Sequence, residues 1–270
     1  MKFKTLFFMF NAVVLFSFLL VFLSPLFVLG VSSFLLFWKT NWLLGLAFLV
    51  ILFGLNTFFA LNWKLFSLLE DEDWPGLSAY LGERIKSGKH YGEREVKLYL
   101  NTLLLLSDVS SIDLLEQQLK VAKPKLLTQN ALFFGITRLL KNDYAQAEAF
   151  LAPYVGKKGV NDADWLRFDY CFSLALQKRW ADAYQALRPL AGSKSPVLRA
   201  LGGSFISLMQ PQLPEADRGQ AGEECAKIKA ELTKKVNKTR WEKEVRYAKE
   251  DIQGVILAKV IDEAGTWLFG

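Results

Sequence analysis

Two cysteines, one histidine and three methionines are the whole stock of soft or readily titrating side chains in 270 residues. Cys171 and Cys225 stand 54 positions apart, which excludes a disulfide framework and says nothing of the redox compartment. With His90 alone, zinc has no recognisable ligand set, and neither a histidine-based triad nor a Cys–His pair has a supported candidate. Gly82 and Gly88-Lys89 approach a phosphate loop, but the spacing is one residue too long and His90 replaces the Ser or Thr that would hold magnesium. The sequence therefore predicts no catalysis, no cofactor and no metal. Acidic residues are missing from the first 69 positions, where Lys2, Lys4, Lys39 and Lys64 are the only charges. These four lysines supply most of the net charge of +6, so the basicity is no argument for a nucleic-acid partner.

What fills the first quarter of the chain is apolar. Fifteen of the 22 Phe lie in residues 1–66. A bilayer core about 30 Å thick takes about 20 residues of helix. Residues 43–61 hold 13 Leu, Ile, Val or Phe, enough to outweigh Asn56 and Thr57 on insertion. The uncharged stretch 5–38 is too long for one straight helix and too short for two. It reads as one helix over roughly 6–29, with Pro25 kinking its last turns, followed by a semi-buried connector at Gly30, Ser32 and Ser33. The second span is placed at about 42–62. Trp38, Trp42 and Trp63 suit the headgroup level and mark where the spans end. A cleaved secretory signal is disfavoured, because the apolar run exceeds the about 7–15 residues of such signals. Lys2 and Lys4 favour an inside N-terminus, and two spans return the chain to the cytoplasm. The expectation is an integral protein of the bacterial cytoplasmic membrane with a cytoplasmic soluble part.

From Glu70 onward the apolar spacing changes to the helical period, and strand alternation is nearly absent. Tyr144-Ala-Gln-Ala-Glu-Ala-Phe-Leu-Ala-Pro153 aligns with Trp180-Ala-Asp-Ala-Tyr-Gln-Ala-Leu-Arg-Pro189 at an offset of 36. Each is preceded by another helix, around Gly135 and Cys171. Small residues at Gly135, Ala147, Cys171 and Ala183 let two helices approach closely. Residues 131–190 resemble two tetratricopeptide repeats, with Arg138 and Leu174 replacing the aromatic usual in the first helix. Weaker units flank them: Glu93–Leu106 with Ser110–Val121, the segment from Trp74, and Pro196–Met209. The fold class expected is all-α: a transmembrane hairpin (1–66), a tetratricopeptide-like solenoid (67–214) and basic C-terminal capping helices (215–270).

The resemblance implies that the first helix of each pair lines an inner groove that receives a peptide, which places Gln129, Leu132, Ile136, Trp165, Phe168 and Phe172 there. Packing of that apolar set against the chain's own C-terminal helices is the alternative. Residues 227–249 carry nine bases against three acids. Within them Lys227, Lys234, Lys235, Lys238 and Arg240 are candidates for an anionic lipid or acidic partner, the alternative being a solvated face with internal pairs. The acidic run Glu70–Asp73 reads as a linker and helix start. The function expected is a membrane-anchored adaptor that recruits proteins through its solenoid. The rival is a subunit of a larger membrane complex associating through its hairpin, with Asn11, Asn56 and Thr57 bonding to neighbouring spans. Tandem spans ahead of degenerate repeats are also similar to membrane-anchored spirochaetal proteins, including flagellar collar subunits, which would put the solenoid in the periplasm.

Overall fold

The computed structural model describes residues 3–88 and 91–270; Lys2, Lys89 and His90 lie outside the described residues. Every regular element among them is helical, and the chain divides into two compact units at residues 89 and 90.

In the first unit, α1 (Phe3–Leu29) and α2 (Val31–Leu61) are both long and apolar enough to cross a bilayer. Pro25 removes the amide that would bond the Val21 carbonyl, yet α1 continues through it, and Ser24 Oγ donates to that carbonyl at 3.1 Å. The expected connector after Gly30 is itself helical. Gly30 turns the chain within one residue at φ +84°, and helix resumes at Val31. The interruption falls instead at Asn41, whose backbone is non-helical (φ −115°, ψ 15°) and whose side-chain amide donates to the Phe37 carbonyl at 3.0 Å. The 20 residues of α2 beyond Asn41 are about 30 Å long, one bilayer core.

The two helices pair antiparallel through aromatic rings. Phe18 stacks on Phe48 at 4.7 Å between centroids, and Phe7 meets Phe59 edge-on at 5.5 Å. Between these contacts Asn56 Nδ2 donates to Asn11 Oδ1 at 2.7 Å and to the Leu52 carbonyl at 2.9 Å. Asn11 and Asn56 thus bond to each other across the hairpin, while Thr57 is exposed. The unit runs past residue 66 because Trp63 and Phe66, on α3 (Trp63–Glu70), pack against Phe7 and Phe59. The α3 helix also packs on α4 (Trp74–Lys86).

The second unit is built from antiparallel pairs: α5 (Glu93–Leu105) with α6 (Val109–Ala122), α8 (Ala131–Leu140) with α9 (Tyr144–Leu151), and α10 (Ala163–Leu176) with α11 (Trp180–Leu187). The short α7 (Pro124–Gln129) bridges the first two pairs. Each turn within a pair repeats one motif, which the α3–α4 turn shares. A non-glycine residue adopts the left-handed conformation at Glu72, Ser107, Asn142 and Lys178, spaced 35, 35 and 36 apart. The next amide closes back five residues: Asp73 to Leu68, Asp108 to Leu103, Asp143 to Arg138 and Arg179 to Leu174, at 2.9–3.1 Å. In three of the four the same residue is an aspartate that caps the following helix, accepting from Gly76, Ser111 or Gln146. Three residues into each second helix lie Leu77, Ile112, Ala147 and Ala183, all fully buried. Seven residues in come Leu81, Glu116, Leu151 and Leu187, none more than 2% exposed. Gly135 is required by the close approach of α8 and α9, since a Cβ there would overlap the Leu151 side chain.

The last pair departs from this plan. A 3-10 turn at Gln210–Gln212 joins α12 (Pro196–Met209) to the longer α13 (Glu215–Lys235). The chain breaks at Val236-Asn237 and continues as α14 (Lys238–Ala248), α15 (Ile252–Ile256) and α16 (Ala258–Phe269). Both α14 and α16 return to pack on α12. Leu268 is 1% exposed, and the Trp267 ring occupies the space a side chain at Gly203 would need. The apolar C-terminus is therefore core material.

Candidate interaction surface

Trp165, Phe168, Asp169 and Phe172 fall at the 3-, 4- and 7-residue intervals that place side chains on one face of α10. That face is covered. Phe168 and Phe172 pack against Phe205 of α12 at 5.2 and 5.7 Å, and Trp165 meets Phe168 edge-on at 6.5 Å. Gln253 of α15 reaches the same face and donates from Nε2 to Asp169 Oδ1 at 2.7 Å. Beside it Lys97 of α5 pairs with both Asp162 and Asp251, at 3.6 and 3.5 Å, tying the start of α15 to the array.

The peptide groove expected from the sequence is therefore not open at its central residues. Leu132 and Ile136 are 2% exposed and Phe168 is fully buried, so the three belong to the core, while Trp165 and Phe172 are half-buried. These apolar side chains follow the burial drive into helix–helix contacts instead of lining a wet groove. Gln129 is half-buried and donates to Glu93 Oε2 at 2.7 Å, while Asn161 donates to Glu93 Oε1 at 2.7 Å. Glu93 thus clasps α7 and the approach to α10. The sequence offered the chain's own C-terminal helices as one cover for this stripe, but not the residues that make it, since Asp169 and Gln253 are 84 positions apart.

The basic C-terminal residues are accessible. Lys227, Lys234, Lys235, Lys238 and Arg240 are all exposed. Arg240 donates to the Lys235 carbonyl at 3.2 Å and lies 3.6 Å from Glu244. Among the described residues no carboxylate lies within ion-pair distance of the four lysines. Lys227 also borders a cleft of about 620 Å³ between α13 and the turn after α11, walled by Arg188, Arg199, Glu224 and Glu231. Its arginines are spoken for: Arg188 pairs with Glu224 at 2.7 Å and Arg199 with Glu231 at 2.6 Å. The guanidinium of Arg199 holds the Glu231 carboxyl below its ordinary range. Lys227 makes no ion pair of its own among the described residues, though its charge also acts on Glu231, which walls the same cleft.

The tryptophans expected at headgroup level divide. Trp42 is exposed. Trp38 is half-buried inside the hairpin, its ring 5.1 Å from that of Phe22 and against Gly45, with its indole N–H lacking an acceptor among the described residues. Gly45 leaves room for that ring, which draws Trp38 inward. Trp63 rests on Phe7. Both cysteines are buried: burial pushes the Cys171 thiol up to about 12 and the Cys225 thiol to about 11, and Cys225 Sγ donates to the Gly203 carbonyl. Asp73, at the end of the acidic run, caps α4.

A family model described as "Uncharacterised Treponema protein" matches residues 111–270, more than half of the chain. The chain belongs to this family. The matched span runs from α6 to the C-terminus, so it includes the covered face of α10, the segment that covers it and the exposed lysines. A protein of Treponema pallidum (strain Nichols), described as "Uncharacterized protein", is 26% identical over 232 residues, 83% of this chain and 74% of the relative. Likeness to that relative therefore extends beyond the family-matched segment. No solved structure matches.

Proposed function

We propose that this member of the Treponema family is a membrane-anchored scaffold. Its N-terminal hairpin spans the cytoplasmic membrane, and its tetratricopeptide-like array holds a partner protein at the bilayer surface. The observation that carries this reading is one helix-pair turn recurring at 35- and 36-residue intervals behind two bilayer-length apolar helices. Tethering confines the array to a thin layer and raises the effective concentration of any contact it makes, so a weak interaction suffices and no covalent chemistry is needed. Because the α10 face is already covered, the surface offered to a partner is the exposed basic one at Lys227, Lys234, Lys235, Lys238 and Arg240, suited to an acidic protein segment or to anionic headgroups.

Affinity purification tests it. A tagged full chain solubilised in mild detergent should bring down a defined partner. The chain lacking residues 1–66 should keep that partner in extracts but hold it more weakly in cells. Complete loss of association on that deletion would instead favour a subunit that assembles through its hairpin. The orientation follows from protease treatment of intact spheroplasts. Protection of residues 70–270 agrees with the cytoplasmic placement that Lys4 and Lys64 favour; digestion from outside places the array in the periplasm. That second placement would suit the collar-like envelope assembly implied by the resemblance of tandem spans ahead of degenerate repeats.

A further inference from the structure

Asp169 and Gln253 are 1% and 3% exposed, and the hydrogen bond between them joins α10 to α15. While Gln253 Nε2 donates to Asp169 Oδ1, the other oxygen of each side chain, Asp169 Oδ2 and Gln253 Oε1, is buried without a partner among the described residues. Two bare acceptors on one bonded pair in a dry interior are costly. One proton on Asp169 Oδ2 removes both defects. A carboxylic acid facing a primary amide closes two hydrogen bonds in a ring, Nε2–H to Oδ1 and Oδ2–H to Oε1, whereas a carboxylate has no hydrogen to give.

Among the described residues no cation stands ready to neutralise the carboxylate. Of the elements around α10, α8 directs Arg138 to Glu116, Glu148 of α9 pairs with Arg179 just before α11, and α12 directs Arg199 to Glu231. On α10 itself Arg167 donates to the Ala186 carbonyl, Asp164 accepts from Ser193, and the neighbouring Cys171 thiol is held neutral by burial. From the C-terminal segment Asp251 faces Lys97 and Asp262 faces Lys249, while Lys259 and Glu263 are exposed. Burial accordingly pushes the Asp169 carboxyl up to about 8, against a smaller lowering by the Gln253 hydrogen bond.

We propose that Asp169 and Gln253 form a proton-dependent latch: the neutral carboxyl of Asp169 holds residues 251–269 on the faces of α10 and α12, and loss of its proton releases them. The latch does not depend on the scaffold reading. In the released state the carboxyl returns to water and to ordinary acidity. Between about pH 4 and about pH 8 the closed state therefore carries one proton more than the open one. Closure is favoured at the acid end of that window. Opening grows about tenfold per pH unit through it and levels off above.

Hydrogen exchange of the full chain in nanodiscs, read on peptides from 250–270 between pH 6 and 7.5 and corrected for intrinsic exchange, tests the latch. In the wild type, protection should fall about tenfold per pH unit relative to Asp169→Asn. The asparagine keeps both hydrogen bonds without a titrating group, so its protection should be the higher at pH 7.5. Gln253→Leu, which removes the ring, should lower protection at both pH values. The same pH slope in Asp169→Asn as in the wild type, or weaker protection in that variant at pH 7.5, overturns the proposal. So does a loss that spreads equally to α8 and α9, because the carboxyl would then support the whole core and not the segment.

Discussion

Glu116 stands where the other three helix pairs place Leu81, Leu151 and Leu187, and like them it is buried. Its carboxylate is held by Arg138 at 2.8 Å and by Lys120 at 2.7 Å. The Arg138 guanidinium also lies 4.1 Å from the Phe150 ring. A charge taken that far from water is tolerated because it is paired, yet such a pair seldom outperforms apolar packing. Glu116→Ala strands Arg138 and should cost about 3–5 kcal/mol, whereas Glu116→Leu with Arg138→Met should be at least as stable as the wild type. Urea unfolding of the full chain in micelles, followed by far-UV circular dichroism, checks both. Arg138 was visible in the sequence as an exception to the repeat pattern. Its partner was not, since Glu116 reads as one more polar position until the 35-residue frame aligns it with three leucines.

At the scale of the element, the repeated turn decides how the pairs are built. A left-handed conformation is usually met by glycine, and an ordinary L-residue there costs roughly 1 kcal/mol or more. None of the four positions is glycine. Glycines such as Gly156 and Gly159 lie between pairs, and no glycine marks the turns within them. Lys178→Gly should raise stability by about 0.5–1 kcal/mol, because strain is relieved while the Arg179-to-Leu174 bond stays in place. Asn142→Ala should act in the opposite direction, since asparagine tolerates this conformation better than alanine. Denaturant midpoints of the two variants separate the signs.

At the scale of the whole molecule, the hairpin and the C-terminal segment are each closed by polar groups far apart in sequence. Asn11 and Asn56 meet across the hairpin at 2.7 Å, where an unsatisfied amide would be costly in hydrocarbon. An Asn11→Cys/Asn56→Cys chain should therefore form an intramolecular disulfide when oxidised in native membranes. Cys171 and Cys225, buried and with raised thiols, should stay unmodified under the same conditions. Non-reducing electrophoresis with mass spectrometry reads both outcomes; disulfide-linked dimers in place of the internal bond would contradict the antiparallel register.

Helicity, the two bilayer-length apolar segments and the pairing of helices at a spacing near 36 were all determined by the sequence. Each depends on side-chain periodicity over a few turns, and that is a local property of the chain. The continuation of helix from Val31, the inward place of Trp38, the asparagine bond across the hairpin and the cover over α10 were decided by tertiary structure. All four depend on which distant surfaces meet. A stripe such as Trp165, Phe168 and Phe172 states that something must lie over it, and only packing selects α12 and Gln253 from the apolar and polar groups available.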